Sequence, residues 1–216
     1  MSLLQVDHVD FGYGPDTLVL RNVSLTLSAG ECALVLGDNG SGKSTLGRLI
    51  GGLARPSSGT ITIGHELLAA IQTRARPART IYVSQVSYLQ FFRATIEEEI
   101  ALASRQSGFP LPTEDIVSRF TLPALDTNPR DLTYPQMWRL QLLLLGSVFN
   151  PSVLFIDEIV APGAPGQREA LEYTLAHRHS QGRVTLLAYQ RPLETRFDRV
   201  FTVDAGIVSA TGTTAG

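Results

Sequence analysis

One stretch governs what this chain can fold into. Cys32-Ala33-Leu34-Val35-Leu36 is a short apolar run of buried-strand character. Gly37-Asp38-Asn39-Gly40-Ser41-Gly42-Lys43-Ser44 follows at once, and from Lys43 onward apolar residues recur at helical spacing. Strand, glycine-rich turn and helix in direct succession is the context in which G-x-x-x-x-G-K-[S/T] cradles phosphate. The glycines let main-chain N–H groups turn toward one centre, and the helix N-terminus adds positive potential there. Gly37, Asn39, Gly40, Ser41, Gly42, Lys43, Ser44 and Thr45 form the expected cradle, with the Lys43 ammonium on the outer phosphates and the Ser44 hydroxyl on a divalent cation. The chain has one lysine against 17 arginines, and that lysine stands in this loop. A coding bias toward arginine explains the ratio but not the placement. A planar guanidinium fork does not substitute for a compact ammonium.

The complement lies at "VLFIDE", residues 153–158. An apolar strand running into two acids is a weak signal alone, since many strands end in a solvated loop. Coupled to the loop at 37–44, Asp157 becomes the group that holds Mg²⁺ and Glu158 the group that polarises an attacking water. The expected ligand is therefore a nucleoside triphosphate with Mg²⁺.

The remaining pattern supplies a scaffold. "LLQVDHVDFGY" and "VSLTLS" alternate as half-buried strands and look antiparallel; "TIYVSQ", "SVLFIDE" and "RVTLLAY" read as buried strands. "TIEEEIALAS" is a helix with Thr95 as its cap and acids in its first turn, and "PQMWRLQLLLLGSVF" one long helix opened by Pro135. Unalternating strands joined through helices imply an α/β fold with a mostly parallel sheet. We expect a single domain over 1–216, in which 1–85 and 150–210 form the core with an N-terminal β subdomain. Residues 86–149 form an inserted helical subdomain.

Composition narrows function. A net charge of −2 without a basic stripe speaks against nucleic acid. The lone Cys32 excludes an internal disulfide. The start "MSLLQVDHVD" lacks the basic and apolar regions of a leader, and "LQLLLLGSVF" is too short to span a bilayer, so work at a membrane requires another chain. Arg74, Arg76 and Arg79 read as a solvated turn, and His177 and His179 as solvated positions on a surface helix.

In the order of these elements the chain resembles the nucleotide-binding subunits of ABC transporters over nearly its whole length. The resemblance implies a cytoplasmic ATPase on the membrane's inner face, bound to a transmembrane subunit through the Gln85–Ser107 region and working in head-to-tail dimers. It implies that Tyr13, in "FGY", stacks on the base, although an ordinary strand aromatic fits there too. It also implies that Gln85 contacts Mg²⁺ and water. "QVSYLQFFRATIEEEIA", with Gln90 five residues after Gln85, is similar to the energy-coupling-factor branch, which drives vitamin and metal-ion importers.

Three positions depart from that family. Its Leu-Ser-Gly-Gly-Gln signature, which closes over the partner's γ-phosphate, is replaced by Leu132-Thr133-Tyr134-Pro135-Gln136. Thr133 keeps a hydroxyl, Pro135 has no N–H, and Tyr134 puts a ring where glycine allows close approach. Ala164 stands where the family's loop carries Asp, and Gln190 where a histidine bonds the γ-phosphate. These defects would fall on both sites of a homodimer, so the expected partner is a second, non-identical ATPase. A regulatory nucleotide-binding subunit of weak activity and a soluble ATPase outside transport are the alternative readings.

Overall fold

The computed structural model describes residues 2–14, 17–84, 91–158 and 166–213. Two sheets organise the chain. β1 (Ser2–Gly14), β2 (Thr17–Ser28), β4 (Ser58–Ile63) and β5 (Glu66–Leu67) form an antiparallel sheet in the order β2-β1-β4-β5. β3 (Cys32–Leu36), β6 (Thr80–Val83), β7 (Val153–Asp157), β8 (Val184–Tyr189), β9 (Arg199–Asp204) and β10 (Ile207–Gly212) form the second, in the order β10-β9-β3-β8-β7-β6. All its neighbours are parallel except β10, which returns antiparallel along β9.

The unalternating apolar runs have a direct cause: both faces of this sheet are covered. From β3, Ala33 and Val35 enter one core while Cys32 and Leu34 enter the other. β7 divides likewise, with Val153 and Phe155 on one face and Leu154 and Ile156 on the other. The first core is closed by α1 (Lys43–Ile50) and the antiparallel sheet. The second is closed by α3 (Ile96–Ser107), α5 (Tyr134–Leu143) and α6 (Gln167–Ser180).

Between β6 and β7 the chain is mostly helical. α2 (Arg76–Arg79) precedes β6, and α3, the short α4 (Glu114–Ser118) and α5 follow it. Thr95 caps α3 as its sequence implies, its side chain accepting from the Glu98 N–H. The long helix has Pro135 in its first turn as expected, but after Leu143 it widens into a π-helical stretch, Leu144–Phe149, which ends at Asn150 in the left-handed conformation. The widened turns keep Leu144 and Val148 buried in the second core. None of the described helices is long and apolar enough to cross a membrane.

Candidate nucleotide site

The loop at 37–44 leaves the carboxyl end of β3 and enters α1. Gly42 caps the helix at φ 117°, a conformation side-chain-bearing residues avoid. The first helical bond runs from Leu46 N–H to the Gly42 carbonyl. The N–H groups of Lys43, Ser44 and Thr45 therefore have no acceptor within the helix and point outward. The Ser41 hydroxyl is buried without a hydrogen-bond partner, and Lys43 Nζ donates to the Gly37 and Asp38 carbonyls at 2.7 and 2.9 Å. Three main-chain donors, one unpartnered hydroxyl and a 6%-exposed ammonium bent over the loop fit a polyphosphate.

Opposite the loop, β7 brings Asp157 and Glu158 to the same end of the sheet. Asp157 is buried, and its Oδ2 accepts from the Tyr82 hydroxyl at 2.7 Å. Burial, then the hydrogen bond to Asp157, raises the Tyr82 pKa, so the phenol stays a donor; the nearby Ser44 side chain acts in the opposite direction. Asp157 bonds the Tyr82 hydroxyl and Ser44 lies near the same phenol, an arrangement that fits a cation on this side of the loop. Among the described residues no group of three or more His, Cys, Asp or Glu side chains could hold a metal. Mg²⁺ takes few protein ligands and fills its shell with phosphate oxygens and water.

Glu158 adopts φ 47°, its N–H bonded to the Ala188 carbonyl. Its Oε1 accepts from Gln190 Nε2 at 2.7 Å, and the same amide nitrogen lies 2.9 Å from Asn39 Oδ1. Gln190 therefore joins the acid end of β7 to the tip of the phosphate loop. Tyr13 comes to the site from β1. Its ring is 62% exposed, and its hydroxyl accepts from Arg48 Nη1 at 2.9 Å and lies 3.3 Å from Thr45 Oγ1. An aromatic face tethered beside the helix start fits a base-stacking platform.

Two participants were not legible as single residues. Tyr82 packs so tightly on α1 that a Cβ at Gly47 would fall 2.5 Å from its ring and one at Gly51 2.5 Å from its Cβ. Arg48 anchors Tyr13. The signal available in the sequence was Gly47 and Gly51, spaced by four on one helical face, where a bulky ring can approach.

At the tip of α5, Thr133 N–H and Oγ1 both lie 2.8 Å from Gln136 Oε1. The Thr133 hydroxyl is thus engaged within its own cap. Tyr134 is 39% exposed and Pro135 sits in the first turn, while Leu132 is buried below. Gln85, Gln90 and Ala164 lie outside the described residues. Of the histidines read as solvated, His179 is exposed, its Nδ1 2.9 Å from the Gly30 carbonyl, whereas His177 is half-buried and stacked on Tyr173, with its pKa lowered by burial and by Arg178.

A phosphate loop on β3, faced across β8 by an acidic strand end, defines a P-loop nucleotide hydrolase. Residues 20–161 match the ABC transporter family model, and the chain belongs to that family as an ATP-binding subunit that hydrolyses ATP to power transport. It is 31% identical over 222 residues to the energy-coupling factor transporter ATP-binding protein EcfA1 of Geobacillus kaustophilus, covering 98% of this chain and 78% of that protein. The corresponding protein of Lactiplantibacillus plantarum is 27% identical, with 99% and 79% covered. Among solved structures, CbiO1 of Clostridium perfringens, described as part of the ABC transporter complex CbiONQ, superposes with a TM-score of 0.79 at 24% identity, covering 98% of this chain and 88% of that one.

Proposed function

We propose that the chain is one of two non-identical ATPases driving an importer of the energy-coupling-factor type, seated on the cytoplasmic face of a transmembrane subunit. The observation that carries this is the contrast between its two surfaces. Its own phosphate loop keeps its main-chain donors and its lysine, while the α5 tip it would present to a partner has lost one N–H to Pro135 and engages the Thr133 hydroxyl internally. A homodimer would repeat the loss twice; a partner with an intact tip would leave the Lys43 site lacking only the family's histidine.

In this reading Lys43 moves from the Gly37 and Asp38 carbonyls to the outer phosphates. The N–H groups at the start of α1 bind phosphate oxygens, and Tyr13 stacks on the base. Ser44 and Asp157, with Gln85, hold Mg²⁺, which when bound neutralises charge on the phosphates. Glu158 takes the proton of the attacking water, and Gln190 orients that carboxylate and donates a neutral hydrogen bond toward the terminal phosphate.

The transmembrane partner would dock in an apolar groove of about 390 Å³ between α3 and the π-helical turn, lined by Ile81, Phe92, Leu102, Leu144 and Leu145 among others. Phe92 is 76% exposed there, and the backbone N–H groups of Phe92 and Arg93 are held by the buried Glu99 carboxylate. A contiguous apolar groove of this kind, with an exposed aromatic at its mouth, marks an interaction site.

The test is to compare the purified chain alone with the chain in its native complex. It binds Mg·ATP in both and turns over slowly alone. Brisk hydrolysis by the lone chain removes the argument for a non-identical partner.

A further inference from the structure

At the opposite end of the parallel sheet from the phosphate loop, a cavity of about 620 Å³ opens between α2, the end of α3 and the starts of β7 and β8. Three arginines line it, Arg74, Arg79 and Arg183, and among the described residues no Asp or Glu does. They come from distant segments. Arg74 precedes α2 and Arg79 ends it, whereas Arg183 sits in the turn between α6 and β8. Arg76, which the sequence groups with the first two, faces elsewhere and donates to the Ile71 and Gly52 carbonyls.

The three are poorly compensated. Arg74 carries no hydrogen bond or ion pair among the described residues. Arg79 reaches Glu66 only at 3.7 Å, with both side chains about half exposed, and such pairs contribute little. Arg183 donates to Ser152 Oγ at 3.0 Å, and its Nε is buried without a partner.

Behind the wall lies a fourth guanidinium. Arg178 is fully buried and donates to Thr185 Oγ1, Asn150 Oδ1 and the Pro151 and Val184 carbonyls, with no carboxylate among these partners. Burial and the neighbouring Arg183 charge lower its pKa to about 9. Asn150 and Ser152, which receive Arg178 and Arg183, are themselves part of the cavity lining. A buried charge without an opposite charge is costly to a fold, and Arg178 adds positive potential from behind the cavity wall.

We infer that this cavity binds a phosphate-bearing anion that serves as the missing counter-ion of Arg74, Arg79 and Arg183, with Arg178 adding to the potential behind them. Guanidinium groups suit phosphate because their paired N–H donors match its oxygens. Free phosphate and the headgroup of an anionic lipid share this chemistry. The site is separate from the nucleotide loop, because Ser152 and Arg183 stand at the amino ends of strands whose carboxyl ends carry Asp157 and Gln190.

The test uses the full chain with its nucleotide loop saturated by Mg·ADP. Inorganic phosphate is titrated by calorimetry, and co-sedimentation is measured with phosphatidylcholine vesicles with or without phosphatidylglycerol. Arg74→Gln/Arg79→Gln alters exposed side chains and keeps the fold; Arg21→Gln is the control. Phosphate binding weakened about tenfold or more in the double variant, and unchanged in the control, supports a soluble anion. Binding confined to phosphatidylglycerol vesicles and lost in the double variant supports the site with a lipid source. No binding of either probe by the wild-type chain, or equal binding by the double variant, overturns the proposal.

Discussion

Tyr82→Phe isolates one hydrogen bond at the centre of the site. The ring stays, so its fit against Gly47 and Gly51 and its tilted contact with Phe155 at 5.9 Å remain. What disappears is the hydroxyl that donates to Asp157 Oδ2 at 2.7 Å. Asp157 is 5% exposed, so water does not freely replace that donor. A hydrogen bond to a charged group contributes roughly 1.5–3 kcal/mol. For a domain of this size about 1 kcal/mol moves the melting temperature by ~2–4 °C, so the variant melts about 3–12 °C lower without ligand. Bound Mg·nucleotide supplies Asp157 with a new electrostatic partner, so the deficit shrinks and the stabilisation by Mg·ATP is larger in the variant than in the wild type. Thermal unfolding with and without Mg·ATP, and with ATP plus a chelator, reads this directly. An unchanged melting temperature, or a deficit that persists in full with Mg·ATP, refutes the assignment of Tyr82 and Asp157 to one metal-side cluster.

Lys43→Ala abolishes nucleotide binding in equilibrium titration, since a single compact cation serves the outer phosphates; retained micromolar affinity would remove the loop assignment. Gly47→Ala reverses the usual ranking. In an ordinary helix it stabilises by about 1 kcal/mol, but here its Cβ falls 2.5 Å from Tyr82 and 2.7 Å from Phe155. Overpacking of this kind costs ~1–3 kcal/mol, so denaturant unfolding shows a net loss, and a gain would mean that α1 shifts freely.

The phosphate loop and the acid pair were legible because their chemistry sits in contiguous residues: Gly42, Lys43 and Ser44 need only a strand before them and a helix after. The sheet class followed from apolar runs such as Val184–Tyr189, whose cause is burial on both faces. What escaped the sequence is what three dimensions bring together. Tyr82 reads as a strand aromatic until β6 is laid beside β7, and Gln190 reads as a lost histidine until its amide is found between Glu158 and Asn39. The arginines at 74–79 look like one solvated turn because nothing local tells which of them turns to main-chain carbonyls and which faces Arg183. The π-helical widening after Leu143 has no clear periodic signature, since Leu140–Leu145 is apolar at every position but Gln141.

The most direct measurement is ATP hydrolysis by the complete complex after Tyr134→Gly/Pro135→Gly. Losing a donor aimed at developing charge costs about 10²–10³ in rate. Restoring an N–H and a close approach at the α5 tip should therefore raise turnover by at least ~10-fold with nucleotide affinity at the Lys43 site unchanged. Turnover that does not move, in a complex that assembles normally, would contradict the view that this tip limits the partner's site.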